Sequence, residues 1–398
     1  MQNTVKIGMF GYGCVGQGLH DVLLSSRGFR SDIKKICVKD RTKPRRISLD
    51  HFTFDKNDIL NDPEINLVVE LISDAEEAYN IVKTALISGK NVVTANKKML
   101  ATHLPELIRL QDKFKVSLLY EAACCGCIPI IRNLEEYYDN ELLFAVSGIF
   151  NGSSNYILSK MCNDRLDYST ALKQAQDLGF AEADPSLDVD GVDAKNKLAI
   201  ITGHAYGLFL DPEEIFNTGI SKVSKYDLQY AREKDLKIKL VPSVYKVDER
   251  TIALEVMPHF ITSKQFLFNV ENEYNGVIAE AAFSNQQFFY GKGAGGHPTG
   301  SAVLSDISAN SYGYRYEYKK LFQHNETNYT RDVDYEVYVR YHNEADLEHV
   351  GLKSVSESFK GKDFNYIIGI TNLDTLFKNR LTLHNLNLFI SRTPGKGV

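Results

Sequence analysis

Short apolar runs and amphipathic stretches alternate through the first part of the chain. VKIGMF (5–10), IKKICV (33–38), NLVVELIS (66–73), NVVTANKK (91–98) and VSLLYEAA (116–123) read as strands of a buried sheet. Leu19, Val22 and Leu23, and then AEEAYNIVKTALISG (75–89), carry helical spacing between them, which predicts βαβ units and a parallel sheet. From about residue 142 the pattern changes. LLFAVSGIF predicts a strand, Asn151 to Asn155 a turn and N-cap before YILSKM, and STALKQAQDLG a helix that ends at Gly179 as its C′ glycine. A long helix follows in KNKLAIITGHAYG. Residues 238–290 then alternate as IKLVPSVYKV, TIALEVMPHF, GVIAEAAF and QQFFYG, the pattern of an antiparallel sheet covered on one face by helices. The glycine-rich loop 291–299 follows, with Thr299 the expected N-cap of GSAVLSDISANS. After Tyr318 the polar segment KKLFQHNETNYTRDVD reads as a linker, and YEVYVRY and FNYIIGITNL read as strands of a small separate α+β unit.

At 398 residues the chain has room for two or three domains, with 43% apolar and 24% charged residues as in an ordinary globular protein. A formal charge of -5, with no basic cluster interleaved with aromatics, argues against nucleic acid as a partner. No apolar run is long enough to cross a membrane and MQNTVKIGMFG enters a strand at once, so a cytoplasmic protein is expected. Cysteines scattered at 14, 37, 124, 125, 127 and 162 suit a reducing compartment better than a disulfide framework. Cys124 and Cys127 form a C-x-x-C, but without a second such pair or an H-x3-H partner structural zinc is disfavoured, and small buried thiols are the simpler reading.

Two stretches carry candidate chemistry. Gly11-Tyr12-Gly13-Cys14-Val15-Gly16 stands between a strand and a helix, the context in which the glycines allow a tight turn and close approach to a pyrophosphate at a helix N-terminus. The next strand runs into Lys39 rather than an acid, and Lys39, Arg41, Lys43 and Arg45 favour a 2′-phosphate. NADP is therefore expected, while Asp40 keeps NAD open. Lys97 and Lys98 fall at the carboxyl end of a strand, the ligand edge of an open α/β sheet, unless they are solvated loop lysines. The second stretch, LGFAEADPSLDVDGVDAKNKL (178–198), gathers Glu182, Asp184, Asp188, Asp190 and Asp193 before Lys197. Asp193 and Lys197 share one helix face, so with Glu182 they could bind a zwitterionic amino acid and move a proton. The plainer alternative is a solvated acidic loop followed by a surface ion pair.

The order VKIGMFGYGCVG, VVTANKK, EAACCGCIPII, SGIFNGSSNYIL, LGFAEADPSLDVDGVDAKNKLAI and GKGAGGHPTGSAVLSDI resembles homoserine dehydrogenase over about residues 5–315, in the form without a fused aspartate kinase. The resemblance implies an NAD(P)-dependent interconversion of L-homoserine and L-aspartate 4-semialdehyde, on the route to threonine and methionine. It implies a Rossmann dinucleotide-binding domain (1–135, plus about 298–320), and an α+β catalytic and dimerisation domain with a mainly antiparallel sheet (136–297). A small C-terminal ACT-like α+β unit (330–398) and a homodimer or higher homo-oligomer complete the expectation. By motif position Lys197 is the proton-transferring lysine, Asp193 its acidic neighbour and Glu182 the ligand of the substrate amino group. Lys97 falls near the nicotinamide, and Lys39, Ser73, Gly179, Gly293 and Gly295 join the glycine motif at the cofactor. Glu121, Cys124, Gly126 and Ile128 match a loop that binds a monovalent cation such as sodium, mostly through backbone carbonyls.

Two positions depart from the family pattern. Cys125 replaces a glycine and so demands an unusual backbone angle for its type, and YEVYVRYHNEADLEHVG lacks the D-x-P-G turn of an amino-acid-sensing ACT domain. A remnant without threonine sensing is expected. For the lysine to exchange a proton near neutral pH its pKa must fall by about 3 from ~10.4, which burial and a second cation such as Lys97, counted with the catalytic residues, favour and Asp193 opposes. Asp193 is therefore expected to hold a water or the substrate hydroxyl as much as to pair with Lys197. Other enzyme readings are a dihydrodipicolinate-reductase-like protein, which does not need Asp193 and Lys197 together, and an aspartate-semialdehyde dehydrogenase, which needs a cysteine nucleophile with a histidine. A nucleotide-sensing regulator that lost its chemistry is the non-enzyme alternative.

Overall fold

The computed structural model describes residues 5–28, 31–140, 142–322 and 327–394, which form two compact units, Met1–Asp139 with Lys292–Phe322 and Asn140–Gly291 with Gln323–Val398. In the first, β1 (Val5–Phe10), β2 (Ser31–Cys37), β3 (Phe52–Thr53), β4 (Leu67–Glu70), β5 (Asn91–Thr94) and β6 (Leu118–Leu119) make a parallel sheet in the order β3-β2-β1-β4-β5-β6. Strands such as LVVE are buried throughout because helices cover both faces. The strand order reverses between β1 and β4, which opens the ligand crevice at their carboxyl ends. Gly11 sits there at φ +93°, and a Cβ on it would stand 2.7 Å from the Leu71 carbonyl oxygen.

The chain returns to this unit with the Gly296–Ser311 helix, which packs on the Cys14–Ser25 helix through bare backbone. A Cβ on Gly18 would lie 2.0 Å from the Gly296 oxygen, and one on Gly300 would lie 2.5 Å from Leu19 N. That helix opens at Gly296 with Gly295 as N-cap, not at Thr299. Pro298 fits its first turn, where a missing N–H is not needed, and Thr299 is already inside.

The second unit is built on one mixed sheet. Its strands are β7 (Leu143–Ile149), β8 (Phe216–Asn217), β9 (Leu236–Lys246), β10 (Thr251–Thr262), β11 (Tyr274–Ala281), β12 (Asn285–Lys292), β13 (Asn328–Tyr329), β14 (Asp334–Tyr341), β15 (Ser354–Lys360), β16 (Asn365–Asn372) and β17 (Phe389–Arg392). The order is β12-β11-β7-β9-β10-β17-β14-β16-β15, with β8 and β13 also pairing β10. The segment read as a linker thus contributes β13, whose Asn328 and Tyr329 pair with Thr251 and Ile252. The C-terminal strands, read as a unit apart, continue the same sheet. Their junction is narrow in hydrogen bonds, with His259 opposite Arg392, and strong in buried charge. Glu255, fully buried, accepts from Arg392 Nη1 at 2.7 Å and from Tyr335 Oη at 2.8 Å. Burial pushes the Glu255 carboxyl up, but Arg392 and His259 hold it below the usual range. Phe216, Met257, Tyr335, Val337, Leu376 and Ile390 pack a shared core across the junction.

Glu70 ends β4 inside the first unit. Its carboxylate accepts from Ile72 N at 2.7 Å and from Thr94 Oγ1 at 2.6 Å, so it joins the turns that follow β4 and β5. Burial raises its pKa to about 7. Folded Glu70 therefore keeps a proton that the unfolded chain releases near pH ~4.3, and this contribution to stability is full at low pH and is lost as pH rises to about 7. The whole effect is about 3 kcal/mol. Glu70→Gln should accordingly lose less stability than the parent between pH 5 and 8, as read by denaturant unfolding at each pH; equal slopes for the two proteins would contradict this.

Candidate active site

The centre of the second unit is the Val192–Tyr206 helix, which starts at Gly191 in the left-handed region (φ +80°) and stops at Gly207 (φ +70°). It is buried almost along its whole length, so its charged residues lie inside the fold and not in a solvated face. Asp193 and Lys197 are 5% and 6% exposed, which excludes the surface-pair alternative. Lys197 Nζ donates to Asp193 Oδ2 at 2.7 Å and to the Phe150 carbonyl oxygen at 2.6 Å. Asp193 pairs directly with Lys197, since removal from water makes an unpaired charge costly.

Asn151 completes the arrangement. Its amide nitrogen donates to Asp193 Oδ2 at 2.9 Å and to Asp188 Oδ1 at 2.7 Å, while its oxygen caps the Gly152–Asn163 helix by accepting from Ser154 N at 2.8 Å. One side chain thus starts a helix and holds two carboxylates. Asp188 is pushed above the usual carboxyl range by burial and then by the Asp193 charge. The sequence reading gave Asn151 only its capping role and did not find the Phe150 carbonyl. The available signal was a polar N-cap directly after an apolar strand, which puts a bifunctional amide at the sheet edge.

The other residues expected in this region lie as follows. Glu182 is exposed, just beyond the Tyr168–Asp177 helix, and its carbonyl accepts from Gln176 Nε2 at 3.0 Å. Gly179 is in the left-handed region (φ +75°) as the terminator of that helix.

In the first unit the glycine motif has the shape a dinucleotide needs. Gly13 and Cys14 are exposed, Val15 is half-buried, and Gly13 starts the Cys14–Ser25 helix with no side-chain cap. A Cβ on Gly13 would meet nothing within 4 Å, whereas one on Gly16 would strike the Gly11 oxygen at 2.5 Å. Free helix N–H groups beside open space fit a pyrophosphate. The Tyr12 ring is buried edge-on against Phe52, so only its backbone faces that space. Ser73 and Lys39 are exposed at the ends of the turns after β4 and β2. Lys97 is half-buried at the first position of the Lys97–Phe114 helix, capped by Asn96, whose amide also donates to the Ile72 oxygen at 3.1 Å. Gly295 is exposed at φ +115°, and Gly293 is buried.

The Glu121–Ile128 turn is packed tightly. Cys125 does adopt the left-handed region at φ +56°, followed by Gly126 at +62°. A Cβ on Gly126 would fall 2.6 Å from the Gly293 backbone, so the turn and the glycine loop abut. The Glu121 carboxylate accepts from Ile131 N at 2.8 Å and Arg132 N at 2.9 Å, and burial followed by the Asp306 charge raises its pKa to about 8. The carbonyl oxygens of Glu121 and Ile128 already accept from Cys124 N and Ile130 N. Among the described residues no group of three or more His, Cys, Asp or Glu side chains could hold a metal ion. A cation on this turn would rest on the remaining lone pairs of backbone carbonyls.

Removing the shared amide should expose the cost of the two carboxylates. Asn151→Ala is expected to lower unfolding stability at pH 7.5 by about 2–4 kcal/mol. The loss should shrink as pH falls, because burial and the Asp193 charge make Asp188 take up a proton more readily than an ordinary aspartate, and chemical denaturation at pH 7.5 and under mildly acidic conditions checks both parts.

Residues 129–308 match the family model for homoserine dehydrogenase, and residues 11–121 match the model for its NAD binding domain. The homoserine dehydrogenase of Lactococcus lactis is 36% identical over 315 residues, 76% of this chain and 73% of that protein, and that of Synechocystis is 38% identical over 76% and 72%. The crystal structure of the Thiobacillus denitrificans homoserine dehydrogenase superposes with a TM-score of 0.86 at 28% identity, covering 99% of both chains. A hyperthermophilic archaeal homoserine dehydrogenase mutant in complex with NADPH has a TM-score of 0.67 at 26% identity, over 79% of this chain and 99% of that one. With its parallel dinucleotide-binding sheet, its buried aspartate–lysine pair and these matches along most of its length, the chain belongs to the homoserine dehydrogenase family of NAD(P)-dependent oxidoreductases acting on a CH–OH group.

Proposed function

We propose that Lys197 transfers the proton in the interconversion of L-homoserine and L-aspartate 4-semialdehyde, with Asp193 as its orienting partner and Glu182 as the ligand of the substrate amino group. The observation that carries the reading is the buried Asp193–Lys197 pair at 2.7 Å, locked by Asn151 and the Phe150 carbonyl. Bound nicotinamide supplies the carbon that accepts or returns the hydride. In the oxidation, neutral Lys197 Nζ takes the hydroxyl proton as the carbon gives up its hydride. In the reduction, its ammonium protonates the oxygen on which negative charge develops. Asp193 contacts Lys197 directly and fixes where Nζ stands. Glu182, exposed on a turn, offers a carboxylate to an incoming ammonium group. Lys97, with Ser73 and the backbone of Gly11 to Gly16, serves the cofactor, as do Gly179, Gly293 and Gly295.

NADP is the preferred cofactor. Asp40, the one acid at the end of β2, is occupied in its own turn, accepting from Thr42 N and Oγ1 at 2.8 Å each and from Lys43 N at 3.2 Å. Lys39, Arg41 and Lys43 around it are exposed and cationic. The NADPH held by the archaeal relative agrees with this choice. A monovalent cation on the carbonyls of Glu121, Cys124, Gly126 and Ile128 remains compatible, and no step above depends on it. The C-terminal part runs β14, a 3-10 turn (Glu344–His349), β15, β16, two short helices and β17, with all three pairings antiparallel in the order β17-β14-β16-β15, which supports an ACT-like remnant. No helix among the described residues is long and apolar enough to cross a membrane, and the six cysteines form no disulfide, which suits a reducing compartment such as the cytoplasm.

Following L-homoserine oxidation at 340 nm tests the central assignment. Lys197→Ala is expected to lose on the order of 10² or more in kcat while keeping its fold and cofactor affinity. The same assay should give the higher kcat/KM with NADP than with NAD, and no change on adding L-threonine. A Lys197→Ala enzyme with the parental kcat would end the proposal.

The protein acts as a homodimer or higher homo-oligomer joined through the open face of the large sheet. Phe144 and Phe266 are 46% and 48% exposed beside a concavity of about 560 Å³ that Val241, Ile261 and Ile278 also line. Tyr290, half exposed, stacks on Tyr274 at 5.0 Å. Exposed aromatics grouped on one sheet face are what a second copy of the chain would cover. Sedimentation equilibrium at micromolar concentration should return at least a dimer mass, and Phe144→Glu should shift it toward monomer; a monomeric parent would refute the interface.

A further inference from the structure

The helix carrying Asp193 and Lys197 begins at a turn that has no capping side chain of its own, since Gly191 is its N-cap. Besides its own backbone bonds, the turn is held by β8 and the segment that follows it. Ile220 N donates to the Val189 oxygen at 2.7 Å and Asn217 Nδ2 to the Asp190 oxygen at 2.8 Å, so two consecutive carbonyls are held from one side. The fit leaves no room. A Cβ on Gly219 would lie 2.0 Å from the Val189 oxygen and 2.5 Å from Asp190 Cα.

That segment is in turn gripped by the C-terminal part of the chain. Lys222 Nζ donates to the carbonyl oxygens of Leu383, His384 and Leu386, at the end of the Arg380–Asn385 helix. A cation there meets the negative end of the helix and satisfies carbonyls that have no partner within it. The Lys222 carbonyl accepts from Arg340 Nη2 at 2.8 Å, and Arg340 Nε donates to both carboxylate oxygens of buried Asp227 at 3.1 and 3.0 Å. The side chain and the backbone of residue 222 are therefore both held by C-terminal elements. Asp190, half-buried beside Lys222, Ser221 and His384, lines the same cavity of about 40 Å³.

We propose that Lys222 is a positioning residue for proton transfer, through which the C-terminal strands and helices hold the Val189–Gly191 turn and so set the place of Asp193 and Lys197. The C-terminal part then acts as a mechanical brace on the catalytic helix, a role that needs no bound effector. Lys222 does not touch the reacting atoms. It acts through Ile220 and Asn217 on the turn, and the inference rests on the reading of Lys197 given above.

Lys222→Met tests it in the full-length enzyme, with homoserine oxidation measured across pH 6 to 10. Positioning predicts that kcat falls about tenfold while KM for NADP and for homoserine stays within about twofold. It also predicts that the acid limb of the kcat profile moves by about half a pH unit or more, with Lys222→Arg recovering most of the rate. A lower melting temperature with kcat and profile unchanged would reduce Lys222 to a structural staple and overturn the proposal. So would a fall in kcat that comes with an equal rise in both KM values. If Lys222→Met does not fold, Asn217→Ala removes the bond to Asp190 alone and should lower kcat about threefold, and a parental rate there overturns it equally. Lys197→Ala run alongside separates the two readings. An active Lys197→Ala enzyme removes the underlying assignment, whereas an inactive one beside parental Lys222→Met removes only the brace.

Discussion

The second unit is organised by a charge pair almost wholly withdrawn from water. Moving an aspartate and a lysine out of solvent costs several kcal/mol per ion before their attraction returns any of it. Here the return depends on company, because Asp193 also accepts from Asn151 and Lys197 also donates to the Phe150 carbonyl. None of these groups can be dropped without leaving another exposed to a low dielectric. A hydrophobic pair of the same volume would pack there more cheaply. That such a pair is absent from the centre of the best-buried helix is a physical reason to look for chemistry in it.

The first unit solves a different problem, which is how to bring backbone close to a phosphate. Its answer is the removal of side chains. Gly18 and Gly300 let two helices touch backbone to backbone, and Gly126 lets the 121–128 turn lie against Gly293. Close packing of this kind tolerates almost no substitution, because each missing Cβ is occupied by another residue's carbonyl or amide. The same unit stores three buried acids, Glu70, Glu121 and Asp306, each raised by burial. Arg132 holds Asp306 at 2.8 Å, and backbone amides hold the other two.

What could be read from the residues follows from how strongly each element repeats. The parallel strands stand out because both faces are covered, and β9 and β10 because they are long. The helix around Lys197 is legible from its apolar run and its two terminal glycines. By contrast β3, β8 and β13 have two residues each and no period to detect. The start of the Gly296–Ser311 helix is hidden because glycine, histidine and proline are poor helix formers that tertiary contact overrules. Asp193, Lys197 and the glycine motif are visible as residues with known chemistry. Asn151 is not, because an asparagine before a helix is explained completely by capping, and its second task exists only once Asp188 and Asp193 have been folded up to it.

The chain order of the two units has a consequence for synthesis. The first unit takes its last helix from residues 292–322, after the greater part of the second has been made, and the second takes β13 to β17 from beyond that point. Neither unit therefore has all its parts when the ribosome reaches residue 291. The parallel sheet waits with Gly18 uncovered, and β10 waits with Tyr335 and Arg392, the donors to Glu255, still untranslated. Each is completed by a stretch emerging after the other has begun, so their folding on the ribosome is interleaved, and the nascent chain must keep two unfinished cores from pairing with strangers until residue 392 appears.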